Sequence, residues 1–444
     1  MPVLHDLVAT LHTASGNAAL VLGATATLAV LLYRRYRASQ LNIPFLKFED
    51  GDDSRQRYVT DSGSLFKIGY EKYLKHGQAF AFRNYVDELQ PQVVLPLKYL
   101  HELKNAPESK LSLKRFSELL CENEEWLNIC ISITNQSMQA AHALRASWPQ
   151  WARWAAPYVF KPVKEVRANQ RRAAEMLGPV LEARKAAATG EKSGPPQFND
   201  TVQWLVDYAE GRGRKLTLDL LAQHQLFYAI ASIHSSTLIT LSILYDLIDE
   251  RNKDAKDIIL AEIEEVQREH PTWTRPAVSK LVKLDSFMKE SQRLNFVGHV
   301  RVTRVAKVPY TFKDGLYLPK GTMVQILHST LQHDPDVFED PLTFDPWRFL
   351  RKRQVAGDEN KFQFDSLSDI ETEFGAGFHA CPARNSATAS IKLILIRLLT
   401  QYDIKFDAER QRRPRNIGHD SATFPDPTTK ILYRQRTTGG GLKE

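Results

Sequence analysis

The sequence predicts a mainly α-helical protein with small β-sheets, built as one large domain behind an N-terminal apolar span. Three observations carry that expectation. Most of the chain beyond residue 125 spaces its apolar residues three and four apart, the period of a helix with one buried face. The stretch from Val308 to Leu327 breaks this rhythm with β-branched and aromatic residues around an Asp-Gly turn. No phosphate-cradling glycine motif follows a predicted strand, which argues against a two-domain nucleotide enzyme. Of the 444 residues, 43% are hydrophobic and 25% charged, enough for a substantial core.

The first element is the run from Ala18 to Tyr33, uncharged as far upstream as Thr13. It reaches the ~20 residues a membrane span requires. Arg34, Arg35 and Arg37 follow it, whereas a cleaved signal peptide carries its charges ahead of the apolar run. Basic residues after a span favour a cytosolic remainder. Residues 1–37 are therefore expected to form a single-pass anchor with a basic flank, and 38–444 the catalytic domain. Helices are expected at Trp126–Leu144, Pro162–Ala186, Leu216–Glu250, Asp254–His270 and Ser279–Leu294, with a surface loop at Lys185–Pro196. A hairpin follows, Val308–Phe312 and Leu316–Leu318 flanking Lys313-Asp314-Gly315, then a strand at Met323–Leu327. A last helical apolar run covers Ala387–Leu399.

Charge and cysteine usage exclude several classes. The excess of 59 basic over 52 acidic residues, net +7, suits an acidic protein partner or an anionic membrane face. No basic block interleaved with aromatics points to nucleic acid. Three cysteines, Cys121, Cys130 and Cys381, form no disulfide framework and fit a reducing compartment.

Four motifs carry the chemistry. Cys381 ends the loop Phe374-Gly375-Ala376-Gly377-Phe378-His379-Ala380 and precedes a helix. The glycines let something large and flat approach the backbone, and the helix N-terminus favours a thiolate, the axial donor an iron porphyrin needs. Glu290 and Arg293 lie three apart on one helix face, able to pair. Phe344-Asp345-Pro346-Trp347-Arg348-Phe349 comes some fifty residues later. Finally, Ala229 to Thr237 places small and hydroxylated residues, with His234 and Ser235, in the middle of a long apolar helix, where back-bonding can loosen one turn.

In this order the motifs resemble the cytochromes P-450, the haem-thiolate monooxygenases, and specifically the filamentous-fungal secondary-metabolism branch. Gly69–Tyr73, Leu95–Lys104 and Leu120–Leu127 also look like that branch. The resemblance implies the cytochrome P-450 fold, with haem b ligated by Cys381. It implies that His379 pairs with a haem propionate, that Phe374 shields the sulfur and that Gly377 gives room for the ring. Glu290, Arg293 and Arg348 would lock the core behind the haem. His234 and Ser235 occupy the positions of the family's acid–alcohol pair, which relays protons to bound dioxygen. Ala383 stands where glycine is usual. The implied activity is oxidation of an apolar small molecule, of terpenoid type, by hydroxylation or epoxidation. Electrons would come from NADPH through an NADPH-cytochrome reductase, at the endoplasmic reticulum membrane with the domain facing the cytosol. A haem-thiolate isomerase or dehydratase needing no reductase is the nearest alternative.

One interval departs from the family. Only Asn105 to Leu119 separate two landmarks that family members hold several tens of residues apart, and the Trp and basic residue that grip the propionates fall in that gap. An internal deletion between about residues 105 and 120 predicts a form that binds haem poorly, a truncated non-catalytic relative.

Overall fold

The structure is a computed structural model that describes residues 41–48, 50–83, 91–105, 111–112, 124–188, 200–407, 410–419 and 421–436. The expected anchor, 1–37, lies outside the described residues, as do Cys121 and most of the short interval. In chain order the main elements are helix α1 (Arg55–Lys72), strands β1 (Phe80–Phe82) and β2 (Gln92–Leu95), helix α2 (Leu100–Asn105) and strand β3 (Leu111–Ser112). Helices α3 (Glu124–Ser147), α4 (Lys161–Ala188), α5 (Thr201–Glu210), α6 (Leu218–Leu247), α7 (Lys253–Glu269) and α8 (Val282–Leu294) follow. Then come strands β4 (Val300–Ala306), β5 (Tyr310–Thr311), β6 (Tyr317–Leu318) and β7 (Met323–Leu327), and helices α9 (Arg348–Arg353) and α10 (Arg384–Gln401). Strands β8 (Tyr402–Phe406), β9 (Ile417–His419), β10 (Ala422–Phe424) and β11 (Ile431–Gln435) close the chain.

Contacts divide the chain into two units. The smaller comprises Met1–Gly51, Gly69–Leu113 and Thr303–Ile326. It holds a five-stranded sheet in the order β1-β2-β7-β4-β3, with β2 parallel to β7 and β1 antiparallel to β2. Strands β1 and β2 are buried along their whole length, so they carry no polar alternation. The expected hairpin forms, but its strands shrink to two residues each, because Pro309 has no N–H to give a ladder. Gly315 makes its turn at φ +91°, a conformation glycine adopts without strain. Tyr310 donates to Glu102 Oε1 at 2.7 Å and Tyr99 to Asp314 Oδ2 at 2.5 Å, tying the hairpin to α2 and the turn before it.

The larger unit is helical. One core joins the C-terminal half of α6 (Ile243, Leu247) to α7 (Ile259, Ile263), α8 (Leu284, Phe287, Met288) and α10 (Ile391, Leu395, Leu399). A second joins the N-terminal half of α6 (Leu221, Ala222, Leu226) to α3, α4 and α5. The five expected helices appear. Thr217 Oγ1 accepts from Leu220 N–H at 3.2 Å and starts α6 at Leu218, while Thr274 caps a separate short turn, Arg275–Ser279, ahead of α8. The pattern missed β4. Among the described residues, only α6 is long and apolar enough to cross a membrane, and it is the central helix of this unit.

Candidate active site

Cys381 is half-buried three residues ahead of α10. Its loop folds back on itself: Gly375 N–H donates to Thr372 O at 2.9 Å, Ala380 N–H to Gly377 O at 3.1 Å, and Cys381 N–H to Phe374 O at 2.7 Å. Gly375 (φ +80°) and Gly377 (φ +63°) take left-handed backbone, and a Cβ on Gly375 would press on His379 O at 3.2 Å. Phe374 packs on the α7–α8–α10 core, edge-on to Phe364 with centroids 5.7 Å apart. His379 closes a short 3-10 turn and meets Phe378 edge-on at 5.5 Å. Ala383 has φ −90°, an ordinary value, so its methyl imposes no backbone strain where glycine was expected.

The loop rests on α8, whose residues Leu284 to Arg293 are all buried. A helix buried all round while carrying four charges needs each charge partnered. Arg293 grips Glu290 with two bonds, Nη2 to Oε1 at 2.7 Å and Nε to Oε2 at 2.9 Å, and Arg348 Nε sits 3.2 Å from both oxygens. Asp345 N–H adds a bond to Glu290 Oε1 at 3.1 Å. The surplus positive charge is taken up by carbonyls: Arg293 Nη1 donates to Gln332 and Pro341, and Arg348 to Glu339, Asp340 and Thr343. Lys289 pairs with Glu371 at 3.2 Å and donates to Gln363 O at 2.7 Å. Asp285 meets Lys392 of α10 at 2.6 Å and accepts from Phe364 N–H at 3.0 Å. These bonds tie the segment entering the cysteine loop, and the helix leaving it, to one buried frame.

Sequence reasoning missed the polar groups beside this frame. Glu373 lies 3.2 Å from His328 Nε2; burial alone would raise its carboxyl, but the His328 charge and hydrogen bond hold it down at about 2. His328 Nδ1 also contacts Thr372 Oγ1 at 3.1 Å. Burial draws His299 and His333 down to about 4. The guanidinium of Arg301 is pulled below its ordinary range by burial, partly offset by Glu373, and its Nε has no hydrogen-bond partner among the described residues. No spacing announces Arg301; its signal is a charge that β4 carries inward.

His234 and Ser235 both lie on α6 but do not converge. Adjacent residues on a helix point about 100° apart. Ser235 Oγ donates back to Ala231 O at 2.6 Å, as Ser232 does to Tyr228 O at 2.8 Å and Thr240 to Ser236 O at 2.7 Å. The expected loosened turn is absent: α6 runs unbroken from Leu218 to Leu247, because each hydroxyl adds a bond without displacing the backbone ladder. The middle of the helix is nevertheless open, with Ala231, Ser232, Ser235 and Thr237 exposed.

The residues fit a haem with a thiolate ligand. A half-exposed thiol at a helix N-terminus would supply the donor, the two left-handed glycines leave the backbone bare, and Arg301 Nε, buried without a partner among the described residues, would suit a carboxylate oxygen.

Comparison with known proteins agrees. The sequence model of the family described as Cytochrome P450 matches residues 120–433. The chain is 37% identical to the cytochrome P450 monooxygenase cheE of Chaetomium globosum, over 94% of this chain and 96% of that protein. It is 34% identical to the monooxygenase ccsG of Aspergillus clavatus (89% and 93%) and 33% identical to the pyrichalasin C-7 hydroxylase of Pyricularia grisea (93% and 98%). The Chaetomium match spreads about 417 residues of this chain (94% of 444) over 502 aligned positions, leaving about 85 without a residue here. The match to the monooxygenase trt6 of Aspergillus terreus takes 329 positions for 74% of the chain, which leaves none over. The cysteine loop and its buried frame thus stand within the matched region, and the chain belongs to the cytochrome P450 family.

Proposed function

We propose that this chain inserts one oxygen atom from dioxygen into a C–H or C=C bond of an apolar small molecule, a terpenoid-type secondary metabolite, using electrons passed from NADPH by an NADPH-cytochrome reductase. The observation that carries this reading is Cys381, a half-exposed thiol at a helix N-terminus behind Gly375 and Gly377. Haem b, when bound, supplies the oxygen chemistry through a thiolate-ligated iron.

The chain's own residues divide the remaining work. Cys381 Sγ would hold the iron, its backbone fixed by the bond from its N–H to Phe374 O, and Phe374 would keep water from the sulfur side. Gly377 leaves the ring room. Arg301 and His379 would meet its propionates. Glu290, Arg293 and Arg348 hold the frame behind the loop. His234 and Ser235 handle protons, and because they diverge around α6, a water must bridge them. Ser235 reaches it by rotating its hydroxyl off Ala231 O.

Residues 1–37 supply a single-pass anchor in the endoplasmic reticulum membrane, leaving 38–444 as the catalytic domain on the cytosolic side. Exposed Trp154, Tyr158 and Val159, beside Arg153 and Lys161, support a corner that faces the membrane. A relative named for hydroxylating pyrichalasin at C-7 supports hydroxylation of a small molecule. The test is turnover with reductase, NADPH and isotopically labelled dioxygen. The account expects one labelled oxygen in the product and none with Cys381→Ala; product formed without reductase or dioxygen points instead to the isomerase-type reaction.

The 85 surplus positions favour a second reading, in which this form holds haem poorly and is not catalytic. A haem-to-protein ratio near one in the purified chain would end it.

A further inference from the structure

The segment that joins α5 to α6 is open to solvent. Every residue from Gly211 to Lys215 is exposed, as are Thr217 to Leu220. The N–H groups of Arg212 and Arg214 donate to Ala209 O, and that of Gly213 to Glu210 O, closing the end of α5. Among the described residues, the N–H groups of Lys215, Leu216 and Thr217 make no backbone hydrogen bond. Thr217 itself is extended, with φ −84° and ψ 156°.

This stretch holds three cations, Arg212, Arg214 and Lys215. Arg212 lies over the ring of Tyr208, 4.4 Å from its centroid. No carboxylate pairs with any of the three among the described residues. Asp207 accepts instead from Gln203 Nε2 at 2.8 Å, and Glu210 and Asp219 face water.

A hydroxyl follows the cations. Thr217 Oγ1 accepts from Leu220 N–H at 3.2 Å and donates to nothing among the described residues, so its proton is free. Arg212 and Arg214 stand five and three residues before it, Lys215 two before, and apolar Leu218 one after. Arginine-directed serine/threonine kinases select that arrangement, because carboxylates in their cleft take guanidinium groups at fixed offsets from the acceptor hydroxyl. No helix or strand has to be undone between Arg214 and Thr217. After Thr217 only the first turn of α6 must open, and its Leu218 and Leu220 are 38% and 41% exposed.

We propose that Thr217 is a phosphorylation site for an arginine-directed protein kinase, recognised through Arg212, Arg214 and Lys215. In the transfer, Thr217 Oγ1 bonds to the γ-phosphorus of ATP as the bond from that phosphorus to the ADP oxygen breaks. The hydroxyl proton passes to a carboxylate of the kinase. The added group carries about −1.5 to −2 charge, set between three unpaired cations and the first N–H groups of α6.

The test treats the full chain with the catalytic subunit of cyclic-AMP-dependent protein kinase and ATP labelled at the γ-phosphorus. The expected result is about one phosphate per chain, mapped to Thr217 by fragment mass spectrometry. Thr217→Ser should keep the label. Thr217→Asn, which preserves a helix cap but has no hydroxyl, should lose it. Arg214→Ala should slow the initial rate by about tenfold or more. A chain that takes no phosphate, a label mapped only to other residues, or a rate unaltered by Arg214→Ala would overturn the proposal. If Thr217→Asn does not fold, the mapping on the unaltered chain and the Arg214→Ala rate decide the matter.

Discussion

At the scale of single residues, Glu290 holds two guanidinium groups in a space closed to water, so its removal strands two buried positive charges. Glu290→Ala should cost about 3–5 kcal/mol of stability in a denaturant titration; a loss under about 1 kcal/mol would show that the pairs are not confined as described. The buried histidines set the acid limit. His299 and His333 fall to about 4 from an ordinary 6.5, so the unfolded chain binds their protons first as pH drops. Their stabilising effect is complete above pH 6.5 and lost toward pH 4, at up to about 3 kcal/mol each. Asp246, raised to about 6 by burial despite Arg413, returns part of this over the same window. Below about pH 4.5, Glu373, held at about 2, adds a further loss. Unfolding titrations at pH 7, 5.5, 4.5 and 3.5 should show stability falling throughout, with His333→Gln flattening the fall above pH 4.5. A profile that rises to pH 4.5 would contradict this. Unlike Glu290, the buried histidines and Glu373 were not legible in the sequence: Glu371 and Glu373 look like solvated charges until Lys289 and His328 pair with them. Cys381 was legible, because its glycines and the helix after it are local.

At the scale of elements, the helices could be read from apolar spacing, which records a one-sided burial along the chain itself. Strand β4 could not, since it carries Arg301 and Arg304 inward and bends through Val302 at φ +52°, against the habits of a β-branched residue. The long helix α6 was legible as an element and misjudged in detail, its hydroxyls back-bonding without loosening a turn. That regularity carries a prediction. With no distortion to position a water, His234 and Ser235 must each matter for proton delivery. His234→Ala and Ser235→Ala should each lower product formed per NADPH consumed by tenfold or more, with substrate affinity unchanged. Unaltered coupling in both variants would remove the pair from the mechanism.

At the scale of the whole molecule, a loop and frame that suit a haem-thiolate centre stand in a chain that leaves about 85 positions of its alignment with the Chaetomium relative unfilled. The short interval was visible in the sequence as a spacing between landmarks. The most direct measurement is a carbon monoxide difference spectrum of the reduced protein. The account predicts a thiolate-type Soret band, lost with Cys381→Ala. A folded, haem-loaded chain that gives no thiolate band, or a band that survives loss of Cys381, would contradict it.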